Sequence, residues 1–360
     1  MGVFKAKRSK DVMPVSERLW GDGSWFSDLV RLPLTFVSWI YGAIVRFRIL
    51  MYQAGWLSQK KVDCRVVCVG NLTTGGTGKT PFTIYLAKKW QAKGSKVGIV
   101  SRGYRRKNKA PVVMVSDGFQ PLGTPESVGD EAYLMAKRLQ GVPIAVANDR
   151  YAGCVWLRSH FQVDVIILDD GFQHLKLHRD RNFLLIDASS PFGNGKLIPR
   201  GPLREPISEI RRADCVVLTR SDQCKDIGAL SRLIKDSQRP FIKSRFAATE
   251  LINLENSFKR SLSDLDGLAI LAFCGLGNPR GFLSQLTQLG AKVQDVVYFS
   301  DHHSYSQSDI LAIEKRAAEM GVRWILTTEK DAVKLKGLST GRPDIWMLRV
   351  DVAFMEDPIM

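Results

Sequence analysis

The stretch "VGNLTTGGTGKTP", Val69 to Pro81, decides the fold class of this chain. A short apolar and β-branched run, "CRVVCVG" (64–70), precedes it, and a helix-forming segment follows. Strand, glycine-rich loop and helix in this order predict a phosphate-binding loop, because backbone N–H groups and a helix N-terminus together bind anions. The usual pattern, G-x-x-x-x-G-K-[ST], has a glycine where this chain has Thr73, but Gly75-Gly76 supplies the backbone flexibility.

This loop predicts a nucleotide site. Lys79 is expected to reach the β- and γ-phosphates, and the Thr80 hydroxyl to bind Mg²⁺. A glycine-rich turn with an incidental lysine is the alternative, and the flanking strand and helix weigh against it. The predicted cofactor-binding residues are Gly75, Gly76, Thr77, Gly78, Lys79, Thr80 and Pro81.

Short apolar runs alternate with helical segments after Lys61, and a second, smaller series of the same kind begins near residue 240. Continuous apolar strands between helices predict a parallel sheet covered on both faces. We therefore predict an α/β protein with two α/β units, the first carrying a P-loop NTPase-like sheet. The expected divisions are residues 1–60 for an N-terminal helix region, 61–240 for the P-loop domain and 241–360 for the smaller domain.

The run "LPLTFVSWIYGAIV" (32–45) has 14 residues without a charge, fewer than the roughly 20 of a spanning helix. Polar and small residues recur in it at steps of three and four, so they share one narrow stripe of a helix. With basic residues on its flanks, the pattern predicts an amphipathic helix in the membrane interface. An ordinary helix docked on a soluble core is the alternative. The stripe is Arg31, Thr35, Ser38, Gly42 and Arg46, and the opposite side is Leu32, Phe36, Trp39, Ile40, Ala43, Phe47 and Leu50.

Two acidic motifs are candidates for chemistry. In "VIILDDGFQH" (165–174), Asp169 and Asp170 end a predicted strand, where a carboxylate beside a phosphate loop holds Mg²⁺. Their alternative role is to cap a turn. In "SVGDEAYLMAK", Asp130 and Glu131 begin a helix, where acidic caps are common and a catalytic role competes with that structural one.

A histidine motif and a basic loop complete the candidates. "YFSDHHSY" (298–305) offers an Asp–His pair for proton transfer or, equally, a capped turn before a helix. Manganese phosphoesterases also carry "DHH", but they need upstream aspartate clusters at strand ends, and "DLD" (264–266) here precedes a strand. The Gly/Pro loop "PFGNGKLIPRGPLREP" (191–206) is long enough to be functional, and its basic groups suit an anionic substrate.

The charge balance narrows the class of partner. Lys and Arg number 52 and Asp and Glu 36, which gives a formal charge of +16 and predicts a polyanionic partner or an anionic membrane. No nucleic-acid-binding motif occurs, and aromatic residues do not interleave with the basic runs, so we expect no nucleic acid. The six cysteines form no C-x-x-C pair and no signal peptide is evident, which favours a cytosolic chain.

These motifs, in this order, resemble the tetraacyldisaccharide 4′-kinase family of lipid A biosynthesis. The resemblance rests on "VGNLTTGGTGKTP", "SRGY", "GDE", "DDGFQH", "FGNGKLIPRGPLREP", "FCGLGNPRGF", "DHHSY" and "TTEKDAVK", and it includes Thr73 in the loop. It implies transfer of the ATP γ-phosphate, with Mg²⁺, to the 4′-hydroxyl of a tetraacylated glucosamine disaccharide 1-phosphate. It also implies two α/β/α domains and a peripheral, monotopic protein on the cytoplasmic face of the inner membrane.

The resemblance also implies residue roles. Asp130 matches the family's proposed base and His302 its partner, with Lys79 at the phosphates. The metal set is Thr80, Glu131, Asp169 and Asp170, and the residues facing the acceptor are Gln173, His174, Arg204 and Glu205. Arg102 and Tyr104 of "SRGY" are expected near the nucleotide, and Asn278, Pro279 and Arg280 in a domain that closes over the cleft. A membrane-associated regulatory ATPase is the alternative, although Thr74 stands where such ATPases have a signature lysine.

Overall fold

The computed structural model describes residues 32–224, 226–277, 279–335, 337–338 and 344–355. The described chain divides into two compact units. The larger contains residues 32–246 and 352–355, and the smaller extends from Ala247 to Asp351. The expectation for Asn278 lies outside the described residues.

A mostly parallel sheet forms the centre of the larger unit, in the order β3-β4-β2-β5-β1-β6-β7-β8. Only the edge strand β3 is antiparallel to its neighbour. The phosphate-loop strand β1 pairs with β5 on one side and β6 on the other. The strands are β1 (Arg65–Asn71), β2 (Val97–Ser101), β3 (Val112–Asp117), β4 (Pro143–Ala147), β5 (Val165–Asp169), β6 (Arg181–Asp187), β7 (Cys215–Thr219) and the first residues of β8 (Phe241–Asn253).

Helices cover this sheet because its strands are apolar on both faces. Six of the seven residues of β1 are buried, and Val66 and Cys68 pack in one cluster with Leu157 of the helix after β4. The helices are α1 (Leu32–Gln53), α2 (Lys79–Ala92), α3 (Pro125–Val128), α4 (Asp130–Arg138), α5 (Arg150–Phe161) and α6 (Ile227–Asp236).

Helix α1 has its apolar side outward. Its buried residues are Ser38, Gly42 and Ile49, so Ser38 and Gly42 of the narrow stripe defined from sequence face the protein. Arg46 of that stripe is exposed, and Arg31 lies outside the described residues. The broad apolar side is exposed to solvent, and the exposed fraction of Trp39 is 71%. The 22 residues of α1 are long and apolar enough to cross a membrane by length and composition alone. An exposed apolar surface of this size is typical of a surface that meets a membrane or another protein.

The smaller unit is a second sheet with helices on both faces, in the order β11-β10-β12-β13-β8. Alternate residues of β10 separate its two cores: Ile270 packs with Phe282 of α7, and Leu271 packs with Ile310 of α8. The elements are the end of β8, β9 (Lys259–Arg260), β10 (Ala269–Cys274), α7 (Pro279–Gln288), β11 (Lys292–Tyr298), α8 (Gln307–Glu319), β12 (Trp324–Thr328), α9 (Glu329–Ala332) and β13 (Ile345–Phe354).

The sequence pattern missed parts of this architecture. It did not predict β3, β8 or β13, which lie in polar or mixed stretches. It extended the strand of "VRWILTTEKDAV" too far, because β12 ends at Thr328 and α9 follows at once. The Thr328 side chain accepts from Asp331 N–H and so caps the new helix, a signal that the sequence did contain.

Candidate active site

The phosphate loop joins β1 to α2. Helix α2 begins at Lys79 rather than at Pro81, which places Lys79 and Thr80 in its first turn. Gly78 precedes it with φ of 85°, and a Cβ there would lie 2.1 Å from Cζ of Phe246. Only glycine fits, since the left-handed conformation and the lack of space both exclude a side chain. The buried Thr77 hydroxyl has no hydrogen-bond partner among the described residues and is available to a bound anion.

The acidic pair lies beside this loop because β5 and β1 are neighbours, with Asp169 opposite Val69 in register. Lys79 Nζ is 3.5 Å from Oδ1 of Asp170. Arg204 Nη1 donates to both carboxylate oxygens of Asp170 at 3.0 Å. One carboxylate therefore joins the phosphate-loop lysine to the arginine of the basic loop.

Asp169 is fully buried and accepts hydrogen bonds from Ser101 Oγ at 2.9 Å and Thr83 Oγ1 at 3.4 Å. Burial raises the pKa of Asp169 to about 7, and the negative charges of Glu131 and Asp170 add to the effect. Burial therefore favours the neutral form of the Asp169 carboxyl, and a nearby cation would favour its ionised form.

Asp170 behaves in the opposite way. Its burial favours the neutral carboxyl, but the charges of Lys79 and Arg204 outweigh burial and lower the pKa of Asp170 well below its ordinary value. It stays ionised at all physiological pH values. Its backbone has φ of 56°, in the left-handed region, which for a residue other than glycine is typical of a turn or a functional site.

The basic loop, residues 191–206, is hydrogen-bonded to the phosphate loop through the backbone. Thr74 N–H donates to the Pro202 carbonyl at 2.7 Å, and Arg204 N–H donates to the Leu72 carbonyl at 2.7 Å. Two segments about 130 residues apart in sequence therefore form one local structure. This pairing brings Arg204 to Asp170.

Gln173 and Glu205 continue the same cluster. Gln173 Nε2 donates to the Asn71 carbonyl at 2.9 Å and lies 3.4 Å from Oε2 of Glu205. Glu205 is buried and forms an ion pair with Arg212. Burial raises the pKa of Glu205, and Arg212 opposes that rise.

His174 lies apart from the acidic pair. Its Nε2 is 3.7 Å from Oδ1 of Asp149, at the start of α5. Burial lowers the pKa of His174 to about 4, and the charge of Arg150 adds to the lowering. The imidazole is therefore neutral at pH 7.

Side-chain hydrogen bonds attach helix α1 to the same loops. Ser38 Oγ donates to the Leu197 carbonyl at 2.9 Å, and Tyr41 Oη donates to the Arg204 carbonyl at 2.7 Å. Arg48 Nη2 donates to the Gln173 carbonyl at 3.2 Å. The surface helix and the residues predicted to face the acceptor are therefore in direct contact.

Asp130 and Glu131 form the first turn of α4. Gly129 precedes them with φ of 99°, and a Cβ at this position would lie 3.1 Å from the Cα of Gly103. The "SRGY" and "GDE" motifs thus meet at a glycine–glycine contact. Glu131 is close enough to Asp169 to raise its pKa.

His302 belongs to the smaller unit. It has φ of 60°, and its Nε2 lies 3.3 Å from Lys330 Nζ and 3.8 Å from Oδ2 of Asp301. Lys330 Nζ is also 3.0 Å from Oδ1 of Asp301. His303 instead pairs with Asp309 at 3.1 Å, at the start of α8. His303 thus contacts the N-terminal cap of α8 through Asp309, whereas His302 contacts Lys330 and Asp301.

Carboxylate oxygens near the phosphate loop are the groups that could bind a metal ion. Within the described ranges, no three His, Cys, Asp or Glu side chains are arranged to hold a metal ion. Mg²⁺ needs only one or two carboxylates when substrate phosphates and waters complete its shell. Burial is the main cause of the raised pKa of Asp169, and the charges of Glu131 and Asp170 add to it, so a divalent cation beside this carboxyl would oppose both effects. The oxygens of Thr80, Glu131 and Asp169 are of the kind that Mg²⁺ prefers. The oxygens of Asp170 are already bound by Arg204.

A family model described as "Tetraacyldisaccharide-1-P 4′-kinase" matches residues 30–360. The chain belongs to this family. It is 39% identical over 324 residues to the tetraacyldisaccharide 4′-kinase of Desulfatibacillum aliphaticivorans, covering 89% of this chain and 88% of the relative. The corresponding enzyme of Halothermothrix orenii is 39% identical over 330 residues, covering 87% and 85%.

The fold agrees with this membership. A crystal structure of LpxK from Aquifex aeolicus in complex with ATP aligns with a TM-score of 0.72 and 36% identity, covering 91% of this chain and 95% of that one. The resemblance found in the motifs is thereby confirmed, as are the α/β fold class and the expectation of a tetraacyldisaccharide 4′-kinase.

The structure shows contacts to the predicted residues that sequence analysis missed. In the larger unit, Ser101 and Thr83 donate hydrogen bonds to Asp169. In the smaller unit, Lys330 contacts His302. Arg150 Nη2 lies 3.4 Å from the carbonyl of Asp170. Ser101 and Lys330 lie within "SRGY" and "TTEKDAVK", so those motifs were the available signal. No pattern marked Arg150 or Thr83, because nothing in their local sequence indicates which strand end they face.

Proposed function

We propose that this chain transfers the γ-phosphate of ATP to the 4′-hydroxyl of tetraacyldisaccharide 1-phosphate, the lipid A precursor. One observation carries the proposal: Lys79 of the phosphate loop and Arg204 of the basic loop meet at Asp170. Donor-binding and acceptor-binding segments are thus held together by one carboxylate. The names and the ATP complex of the relatives support the same donor and acceptor.

On the donor side, the loop N–H groups and Lys79 bind the phosphates and oppose the charge that spreads over the γ-phosphoryl oxygens. Asp170 holds Lys79 and Arg204 in place, because it pairs with both. Thr80, Glu131 and Asp169 are the residues that would hold Mg²⁺, which supplies charge neutralisation at the phosphates when bound.

Asp130 is the proposed base and His302 its partner. A carboxylate is a weaker base than an imidazole, so the proposed partner helps by accepting the proton. Lys330 donates toward His302 Nε2 and Asp301 and thereby restricts the ring. These roles carry over from the family motifs.

On the acceptor side, we assign Gln173, His174, Arg204 and Glu205 to the lipid headgroup. The Arg204 guanidinium suits the phosphate that the acceptor already carries. The neutral imidazole of His174 offers a hydrogen bond to a sugar hydroxyl without competing charge.

The acyl chains of such an acceptor remain in a bilayer, and α1 supplies the matching surface. Its apolar side is exposed, and its protein-facing side is bonded to the acceptor loops. We therefore propose a peripheral, monotopic protein on the cytoplasmic face of the inner membrane, with a lipid partner and no nucleic acid.

Transfer of ³²P from labelled ATP to a purified lipid A precursor tests the proposal. Label in the lipid, dependent on Mg²⁺ and lost in Lys79→Ala, is the expected result. ATP turnover that is indifferent to the lipid would identify a regulatory ATPase instead. Tight, salt-dependent DNA binding would point to the nucleic-acid class that the sequence argues against.

A further inference from the structure

The order of strands fixes which way a nucleotide lies across the loop. Lys79 and the acidic pair are on the β5 side of β1, which is where the γ-phosphate belongs. The order β5-β1-β6-β7 leaves the nucleoside on the other side, outside the carboxyl ends of β6 and β7. Any residue that reads the base must be found there.

The segment "TRSDQ" (219–223) begins at Thr219, the last residue of β7, and continues at that edge of the sheet. Side-chain hydrogen bonds connect it to the backbone of the phosphate loop. Thr219 Oγ1 donates to the carbonyl of Thr77 at 3.0 Å, and Arg220 Nη1 donates to the carbonyl of Gly76 at 3.2 Å. The segment therefore has a fixed position relative to any bound phosphate chain.

Arg220 has φ of 51°, in the left-handed region. Its guanidinium lies 5.0 Å from the centre of the Phe246 ring and pairs with Asp187 at the end of β6. These contacts hold the planar group beside the loop, where a base can stack on it. Arg220 directly precedes a one-turn 3₁₀ helix, Ser221–Gln223. Asp222 of this helix is exposed to solvent.

We infer that Thr219, Arg220 and Asp222 form a subsite for the purine base of the nucleoside triphosphate, with Asp222 accepting a hydrogen bond from an exocyclic amino group. An ionised carboxylate can only accept, so it favours a base edge that carries a donor. Adenine offers its 6-amino group and guanine its 2-amino group. The inference rests on the proposed nucleotide site and deepens it.

Two pairs of nucleotides that each differ by one amino group provide the test. ATP is compared with purine riboside 5′-triphosphate, and GTP with ITP, by isothermal titration calorimetry on the full-length chain. In at least one pair the amino-bearing nucleotide should bind about 10-fold more tightly, the value of one hydrogen bond to a carboxylate. The pair that discriminates identifies the purine.

Three variants test whether the difference in nucleotide affinity depends on Asp222. Asp222→Ala should reduce the ratio within the discriminating pair to about 1. Asp63→Ala, which removes a fully exposed carboxylate elsewhere, should leave the ratio unchanged. Arg220→Ala should weaken both members of each pair by a similar factor, because it loosens the loop and removes the stacking surface.

Equal binding within both pairs, or a ratio that survives in Asp222→Ala, would overturn the subsite. Because calorimetry needs no lipid acceptor, this outcome is separable from failure of the proposed function. Base discrimination that depends on Asp222, without any phosphate transfer to the lipid, would leave the subsite standing and refute the kinase assignment.

Discussion

Two adjacent carboxyls, Asp169 and Asp170, show how neighbouring residues acquire different roles. Asp170 is half-buried and faces Lys79 and Arg204. Asp169 is fully buried and faces two hydroxyls and the charge of Glu131. The first is an anchor for cations of the protein. The second is a position where a further cation would be stabilised, as the proposed Mg²⁺ site requires.

Lys79→Ala should reduce phosphate transfer by at least about 100-fold, because it removes the loop's charge on the β- and γ-phosphates. Transfer of ³²P to the lipid acceptor measures the loss, and circular dichroism checks that the fold is intact. Lys88→Ala, which removes an exposed lysine of the same helix α2, is the matched control. Near-normal transfer in Lys79→Ala would refute the assignment of the loop.

His174 should make stability depend on pH. Its pKa is lowered from 6.5 to about 4, so between these values the unfolded chain binds a proton and the folded chain does not. Stability is therefore lost as pH falls from about 6.5 to about 4, and it is intact above 6.5. At pH 5 the loss is about 1 to 2 kcal/mol.

His174→Gln should flatten that dependence, which thermal denaturation at pH 5 and pH 7.5 measures. His160→Gln, at an exposed histidine of α5, is the control. An unchanged pH dependence in His174→Gln would show that the imidazole is not held neutral.

At the scale of elements, α1 reverses the usual arrangement of a surface helix. Soluble helices turn the broad apolar side inward, whereas α1 buries Ser38 and Gly42 and exposes its apolar side. A Cβ on Gly42 would lie 2.7 Å from Cδ1 of Leu197. The small residues of the narrow stripe are therefore explained by close approach to the basic loop.

Charge on the apolar side of α1 should release the protein from membranes. The double variant Trp39→Lys, Phe47→Lys should bind neutral phosphatidylcholine vesicles at least about 10-fold more weakly in a sedimentation assay, since two large apolar groups no longer enter the interface. Phe119→Lys, at a residue 84% exposed outside α1, should bind as the parent does. Equal sedimentation of the double variant would contradict the membrane role of this face.

Gly42→Leu should separate membrane binding from activity. The added side chain displaces α1 from Leu197 and strains the hydrogen bonds to the acceptor loops, so transfer to the lipid should fall by about 10-fold while vesicle binding persists. Ala43→Leu, on the exposed side of the same helix, should retain both properties. Full activity in Gly42→Leu would show that the contact has no part in acceptor positioning.

At the scale of the whole molecule, the proposed base and its partner belong to different compact units. Asp130 lies in the larger unit and His302 in the smaller. If they act together, the activity depends on how both units engage the substrates.

Asp130→Ala and His302→Ala should each lower kcat, and the double variant should lose less than the product of the two single losses. Steady-state transfer rates at saturating ATP measure this double-mutant cycle. His303→Ala tests specificity, because His303 pairs with Asp309 at the start of α8. Fully multiplicative losses would exclude a dyad.

The local sequence predicted the main elements correctly where one interaction dominates. The strand and helix around "GGTGKT", the buried strand before Asp169 and the cap at Ser306 all follow from apolar runs and short-range hydrogen bonds. Strands β3, β8 and β13 were missed, because they lie in polar or mixed stretches that lack a continuous apolar run. Ser101 and Arg150 were missed, because their contacts depend on distant partners.

The sequence by itself determined the phosphate loop, the two α/β series, the amphipathic helix and the family, since each is encoded by residue spacing within a short segment. Only the tertiary structure decided that Arg204 meets Asp170, that α1 turns its apolar side outward, and that "TRSDQ" is fastened to the phosphate loop. These facts depend on strand order and on contacts between segments far apart in the chain. The opening loop specifies where phosphate binds, and the fold specifies what surrounds it.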